Sequence, residues 1–121
     1  MIPIPWPPTT GNHTTKFGRG GFYTVQSVKD YRIHIAWIIK AAGLDKKLSG
    51  PLEIHWTGCP PDNRAVDADN IMKVVHDALT RAGLWKDDSN KIIKKTTFVW
   101  GDPVPDGLLE LTVKDYQPED L

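Results

Sequence analysis

Two acidic pairs bracket one apolar-periodic stretch of this chain. Asp67-Ala68-Asp69-Asn70 precedes it, Lys73 lies one turn into it, and Asp87-Asp88 follow it. Carboxylates converging from two segments are the hard oxygen ligands that Mg²⁺ or Mn²⁺ prefers, with water and a substrate phosphate completing the octahedron. A lysine among them suits phosphodiester cleavage, in which a cation stabilises charge on the phosphate or on the departing oxygen. The competing reading is structural: one aspartate caps a helix, and Asp69 pairs with Lys73 at i, i+4. Three features weigh against it. A cap needs one acid, and two stand here at a spacing that can point both to one side. Gly83 ends the apolar period and reverses the chain, so a third acid can return beside the first two. Asp87 and Asp88 together exceed what a turn needs.

For these groups to meet, Ile71, Val74, Val75, Ala78, Leu79 and Ala82 must form the inward stripe of a helix ending at Gly83. Asp69, Lys73 and His76 or Asp77 then fall towards the other side, with His76 expected at the surface. Upstream, Ser27-Val28-Lys29-Asp30 has capping-box spacing and predicts a core helix over 28–42. Its stripe is Val28, Tyr31, Ile35, Ile38 and Ala42, widened by Trp37 and Ile39. Leu52-Glu53-Ile54-His55-Trp56 alternates as a half-buried strand. Residues 91–100 alternate weakly, and Leu109, Leu111 and Val113 alternate cleanly, so the two are expected to pair as a hairpin across the turn at 101–107. Trp37, Trp56, Trp85 and Trp100 are expected in the core. The four prolines within residues 3–8 confine the opening to a sheet edge at most. Residues 9–21 read as a polar loop or hairpin, with a short strand from Phe22 to Val25. The expected architecture is one α+β domain over residues 1–121: a small, mostly antiparallel sheet of three or four strands with two helices packed on one face. Residues 1–26 form its Pro/Gly-rich strand and loop region, and 115–121 an acidic tail that frays.

The totals fit that reading. A chain of 121 residues, 40% hydrophobic and 25% charged, has the length and composition of one soluble domain. Its apolar runs are too short to span a bilayer, and no basic-then-apolar leader opens it, so a cytoplasmic protein without a membrane partner is expected. Cys59 is the lone cysteine, which excludes an intrachain disulfide and a cysteine-built metal site. Net charge is zero, but unevenly distributed. Residues 1–101 carry 14 Lys/Arg against nine Asp/Glu, whereas residues 102–121 carry Lys114 against six acids. Four of the nine acids belong to the candidate metal site, where bound cations would offset them. The body is therefore moderately basic, which permits a nucleic-acid partner, and the tail is acidic.

The chain also resembles the RusA family of Holliday-junction resolvases. The resemblance rests on Pro5-Trp6-Pro7-Pro8, on Tyr31-Arg32 with Ile38-Ile39-Lys40, and on Leu108-Leu109-Glu110-Leu111-Thr112. Its most specific parts are Asp67-Ala68-Asp69-Asn70-Ile71-Met72-Lys73 and the run from Asp77 to Asp88. It implies a homodimer that binds a four-way DNA junction and makes paired, symmetric nicks with Mg²⁺ or Mn²⁺, in a bacterial cell or a phage-infected host. By position, Asp67, Asp69 and Asp88 match the family's catalytic carboxylates and Lys73 its essential lysine, with Asp87 a further ligand candidate. A catalytically silent junction-binding protein and a metal-dependent phosphatase are the alternatives. One departure stands out: the arginine run expected before the first aspartate is reduced here to Arg64. Lys16, Arg19, Lys86, Lys91, Lys94 and Lys95 are the cations that could make up the missing DNA contacts.

Overall fold

In the computed structural model, residues 1–8, 15–18 and 21–118 are described, those of 15–18 and 21–24 by their backbone only. The elements in chain order are β1 (Ile2–Ile4), β2 (Thr15–Gly18), β3 (Gly21–Thr24), α1 (Gln26–Ala41), β4 (Leu52–Cys59), α2 (Ala68–Ala82), β5 (Ile93–Trp100) and β6 (Leu108–Asp115). Four strands form one sheet in the order β1-β6-β4-β5, and β2 and β3 form a separate antiparallel ribbon. This is the expected α+β class.

The apolar stripes form as their spacing dictates. Val28, Tyr31, Ile35 and Ile39 of α1 are buried, as are Ile71, Val74, Val75, Ala78 and Leu79 of α2. They meet Leu52, Ile54 and Trp56 of β4, Leu109 and Leu111 of β6, and Ile4 of β1 in a single core cluster. Alternation puts Glu53, His55 and Thr57 on the opposite face of β4. Glu53 is nevertheless only 7% exposed. His55 bridges it to Thr97, with Nε2 2.7 Å from the Glu53 carboxylate and Nδ1 2.6 Å from the Thr97 hydroxyl.

Several expectations are corrected. The capping box at Ser27 does not form, because α1 begins at Gln26 and places Ser27 inside its first turn. Val25 occupies the N-cap with no side-chain hydrogen bond, and Gln26 Nε2 instead donates to Asp30 at 2.9 Å. An apolar contact sets the entry, since Val25 packs against the core and Val28 is buried. The strands β5 and β6 are not hairpin partners. β5 pairs parallel with β4, placing Phe98 opposite Trp56, and β6 crosses to the far side of β4, placing Leu111 opposite Trp56 from that side. The seat between β1 and β4 requires a cleanly alternating strand, which β6 supplies, while the weakly apolar β5 suits an edge. Trp56 and Trp85 are fully buried as expected, but Trp37 is 68% and Trp100 42% exposed. Trp37 lies off the α1 stripe that faces the sheet, and Trp100 ends an edge strand. Among the described residues, no helix is long and apolar enough to cross a membrane.

Candidate active site

Helix α2 and the segment after it build the site. Asp67 is the N-cap: its backbone is extended, and its Oδ1 accepts the Asp69 amide at 3.0 Å, satisfying one of the unpaired donors of the first turn. At the other end Gly83 adopts φ +85°, and the Leu84 amide donates to the Leu79 carbonyl at 3.2 Å, closing the helix with a left-handed cap. This cap turns the chain back along α2. Trp85 is fully buried, its indole N–H donates to Thr80 Oγ1 at 2.7 Å, and the Lys86 amide donates to the Leu48 carbonyl at 2.8 Å. The segment leading to Asp88 is therefore pinned on both sides.

As a result Asp88 returns beside the first half of α2. Asp69, Met72, Lys73, His76 and Asp88 line one open cleft of about 320 Å³. Among the described residues, Asp69, Lys73 and Asp88 form no ion pair and no side-chain contact that would occupy their charges. The structural alternative is thus half realised: Asp67 does cap the helix, but the Asp69–Lys73 pair is not made. Asp67 lies next door, in a hollow of about 230 Å³ lined with Trp6, Pro7, Arg64 and Asn70, and its Oδ2 makes no hydrogen bond among the described residues. Asp69 and Asp88 are brought together with Lys73, and Asp67 flanks them.

The same geometry separates Asp87 from Asp88. Asp87 Oδ1 accepts the Ser89 amide at 2.8 Å, and these Ser89 hydrogen bonds hold its carboxyl below the usual carboxylate range. It shapes the turn into β5 and does not line the cleft. His76, by contrast, is not the surface residue expected. It is half-buried in the cleft wall, stacked on Trp56 at 5.8 Å and edge-on to Trp85 at 5.6 Å, with Nε2 accepting the Trp56 indole N–H at 3.1 Å. Burial lowers its pKa, opposed in part by the nearby Asp88 charge. The indole has only a donor, so the neutral imidazole carries its proton on Nδ1. The one sequence signal for this placement is its position three residues after Lys73; its partner Trp56 lies on another element.

Among the cations expected to touch DNA, Lys86 and Lys94 are exposed. Arg64 is clamped onto Asp62, with Nε 3.1 and 3.0 Å from the two carboxylate oxygens and a terminal nitrogen at 2.8 Å, which holds the Asp62 pKa down. Arg19 and the side chain of Lys16 lie outside the described residues.

The donor chemistry fits a divalent ion. Among the described residues no three His, Cys, Asp or Glu side chains are grouped as a ready-made cage. Mg²⁺, however, is commonly held by one or two carboxylates with waters and substrate phosphates filling the other positions. Asp69 and Asp88 in one open cleft, with Asp67 alongside, are a donor set of that kind.

The chain is also similar to known proteins. A family model described as endodeoxyribonuclease RusA matches residues 5–107. A crossover junction endodeoxyribonuclease RusA of Escherichia coli (strain K12) is 37% identical over 115 residues, covering 94% of this chain and 92% of that protein. The protein of the same name from Enterobacteria phage 82 is 36% identical over the same coverage. Another, from Escherichia coli O139:H28, is 36% identical over 118 residues, covering 98% of this chain and 96% of that protein.

Proposed function

Because the chain belongs to the RusA family of endodeoxyribonucleases, we propose that residues 1–121 form a single nuclease domain that resolves four-way DNA junctions by paired, symmetric nicks. The observation that carries this reading is the cleft that Asp69, Lys73 and Asp88 line together, with no ion pair engaging their charges among the described residues.

Asp69 and Asp88, with Asp67 beside them, would hold Mg²⁺ or Mn²⁺. When bound, such an ion supplies the acidity that makes water a nucleophile at neutral pH and the positive charge that polarises a phosphate. Lys73 stands one helical turn from Asp69, and its ammonium neutralises charge on the scissile phosphate or protonates the leaving oxygen. His76, held by the Trp56 indole, walls the cleft and ties α2 to β4. Two nicks across a two-fold junction require two clefts related by a similar axis, so the working unit is a homodimer. The enzyme acts on DNA in the cytoplasm of a bacterium or a phage-infected host.

The test is nicking of a synthetic four-way junction with Mg²⁺ or Mn²⁺. The unmodified protein should yield paired nicks and Asp69→Asn should not. Equal cutting by Asp69→Asn would overturn the site. Tight junction binding without cutting in any divalent metal would make the protein a silent junction binder.

A further inference from the structure

A nuclease that grips DNA needs cations placed along the path of the backbone, because neutralised phosphates release counterions and supply most of the affinity. The loop before Asp67 is the nearest source in sequence and is weak in charge. Its single cation, Arg64, has its guanidinium committed to both carboxylate oxygens of Asp62, so the loop presents no net charge.

Positive charge gathers instead beside the segment that leads from α2 to Asp88. Residues 45–48 dock against the segment after α2 through three backbone hydrogen bonds: Lys47 N to Gly83 O at 2.7 Å, Leu48 N to Leu84 O at 3.1 Å, and Lys86 N to Leu48 O at 2.8 Å. Lys47 sits in the left-handed region at φ +49°, which tightens the turn that presents it. This docking joins Lys46 and Lys47 to Lys86, although the two segments are far apart in sequence. Lys86 immediately precedes Asp87-Asp88, so it is within two residues, or about 7 Å of chain, of the cleft acid. Lys86 and Lys91 both lie close enough to Asp87 for their charges to act on its carboxylate. All four lysines are exposed, and none forms an ion pair among the described residues. The acids beside them are Asp45, which packs near Gly83, Asp87, whose Oδ1 accepts the Ser89 amide, and Asp88 of the cleft, so the four lysines are in excess.

We propose that Lys46, Lys47, Lys86 and Lys91 form a phosphate-binding rim that carries the backbone of one junction arm past Asp88 and into the cleft. The rim rests on the junction-nuclease reading and adds to it the surface by which the substrate is held. Lysines suit this role because they act as point charges towards phosphates without reading base sequence.

The test is the salt dependence of junction binding, followed by fluorescence anisotropy of a labelled four-way junction without divalent metal, so that binding is read apart from cutting. Each lost phosphate contact flattens the plot of log association constant against log salt by about 0.9. The double variant Lys46→Gln/Lys47→Asn, in which asparagine tolerates the positive φ, should flatten it by about 1.8. Lys86→Gln and Lys91→Gln should each flatten it by about 0.9. Lys29→Gln, exposed on the first turn of α1, should reproduce the unmodified slope. A steep slope in the unmodified protein that the double variant retains would overturn the rim alone. A flat slope in the unmodified protein would overturn the DNA reading and the rim together.

Discussion

Asp87 and Asp88 are adjacent in sequence, but their carboxylates have different surroundings. Asp87 accepts the Ser89 amide and shapes a turn, whereas Asp88 opens onto Asp69 and Lys73. Asp88→Asn should therefore abolish metal-dependent nicking of a four-way junction. Asp87→Asn should leave the cleavage rate near that of the unmodified protein while slightly lowering its thermal midpoint. The opposite pattern in single-turnover assays would exchange the two assignments. On the other face of the sheet, the hydrogen bond to His55 is the main cause holding Glu53 below its ordinary pKa of 4.5, helped by the Gln117 amide and the charges of Lys114 and Lys95. A carboxyl whose folded pKa is depressed stabilises the fold above its unfolded pKa, and this stabilisation is lost as pH falls through the folded value. Urea midpoints should drop from pH 7 to pH 3 in the unmodified protein, and the drop should be smaller in Glu53→Gln. An equal drop in both would show that Glu53 is not an acid-labile group.

Helix α2 was legible at the level of elements because every signal for it is local. Its stripe, its capping aspartate and its terminal Gly83 all lie within seventeen residues, from Asp67 to Gly83. Gly83→Ala tests the last of these. An added Cβ would meet nothing closer than 3.7 Å, so the cost is backbone strain alone at φ +85°. It should destabilise by about 1 kcal/mol in urea unfolding with nicking retained, since the chain reversal itself is still possible. What the sequence could not disclose is who neighbours whom. Alternation marks which face of β6 is buried, and β6 buries the same face beside β4 as it would beside β5, so the hairpin expectation had no local signal against it. His76 was misplaced for the same reason, because the indole that captures it is on β4. The cap at Ser27 failed because Val25 and Val28, anchored in the core, outweigh a side-chain hydrogen bond available one step later. The acids were legible as a group, but their division into Asp88 for the cleft and Asp87 for the turn depends on Ser89 geometry.

At the scale of the whole molecule, the site hangs on a sheet whose order differs from its sequence. Leu111 has no contact with the cleft, yet it is fully buried opposite Trp56, which in turn holds His76. Leu111→Ala should cost about 3 kcal/mol in chemical unfolding, as a buried Leu-to-Ala change does. A loss below about 1 kcal/mol would mean that β6 is not an integral part of the core. The sheet order also has a temporal side. Among the described residues β1 pairs with β6, Ile4 lying opposite Leu109, and Ile4 is fully buried once they meet. The segments bearing the acids lie between these two strands in the chain, so they are made before the sheet that supports them can close. A chain whose synthesis has not yet reached β6 therefore carries the acids without their finished scaffold.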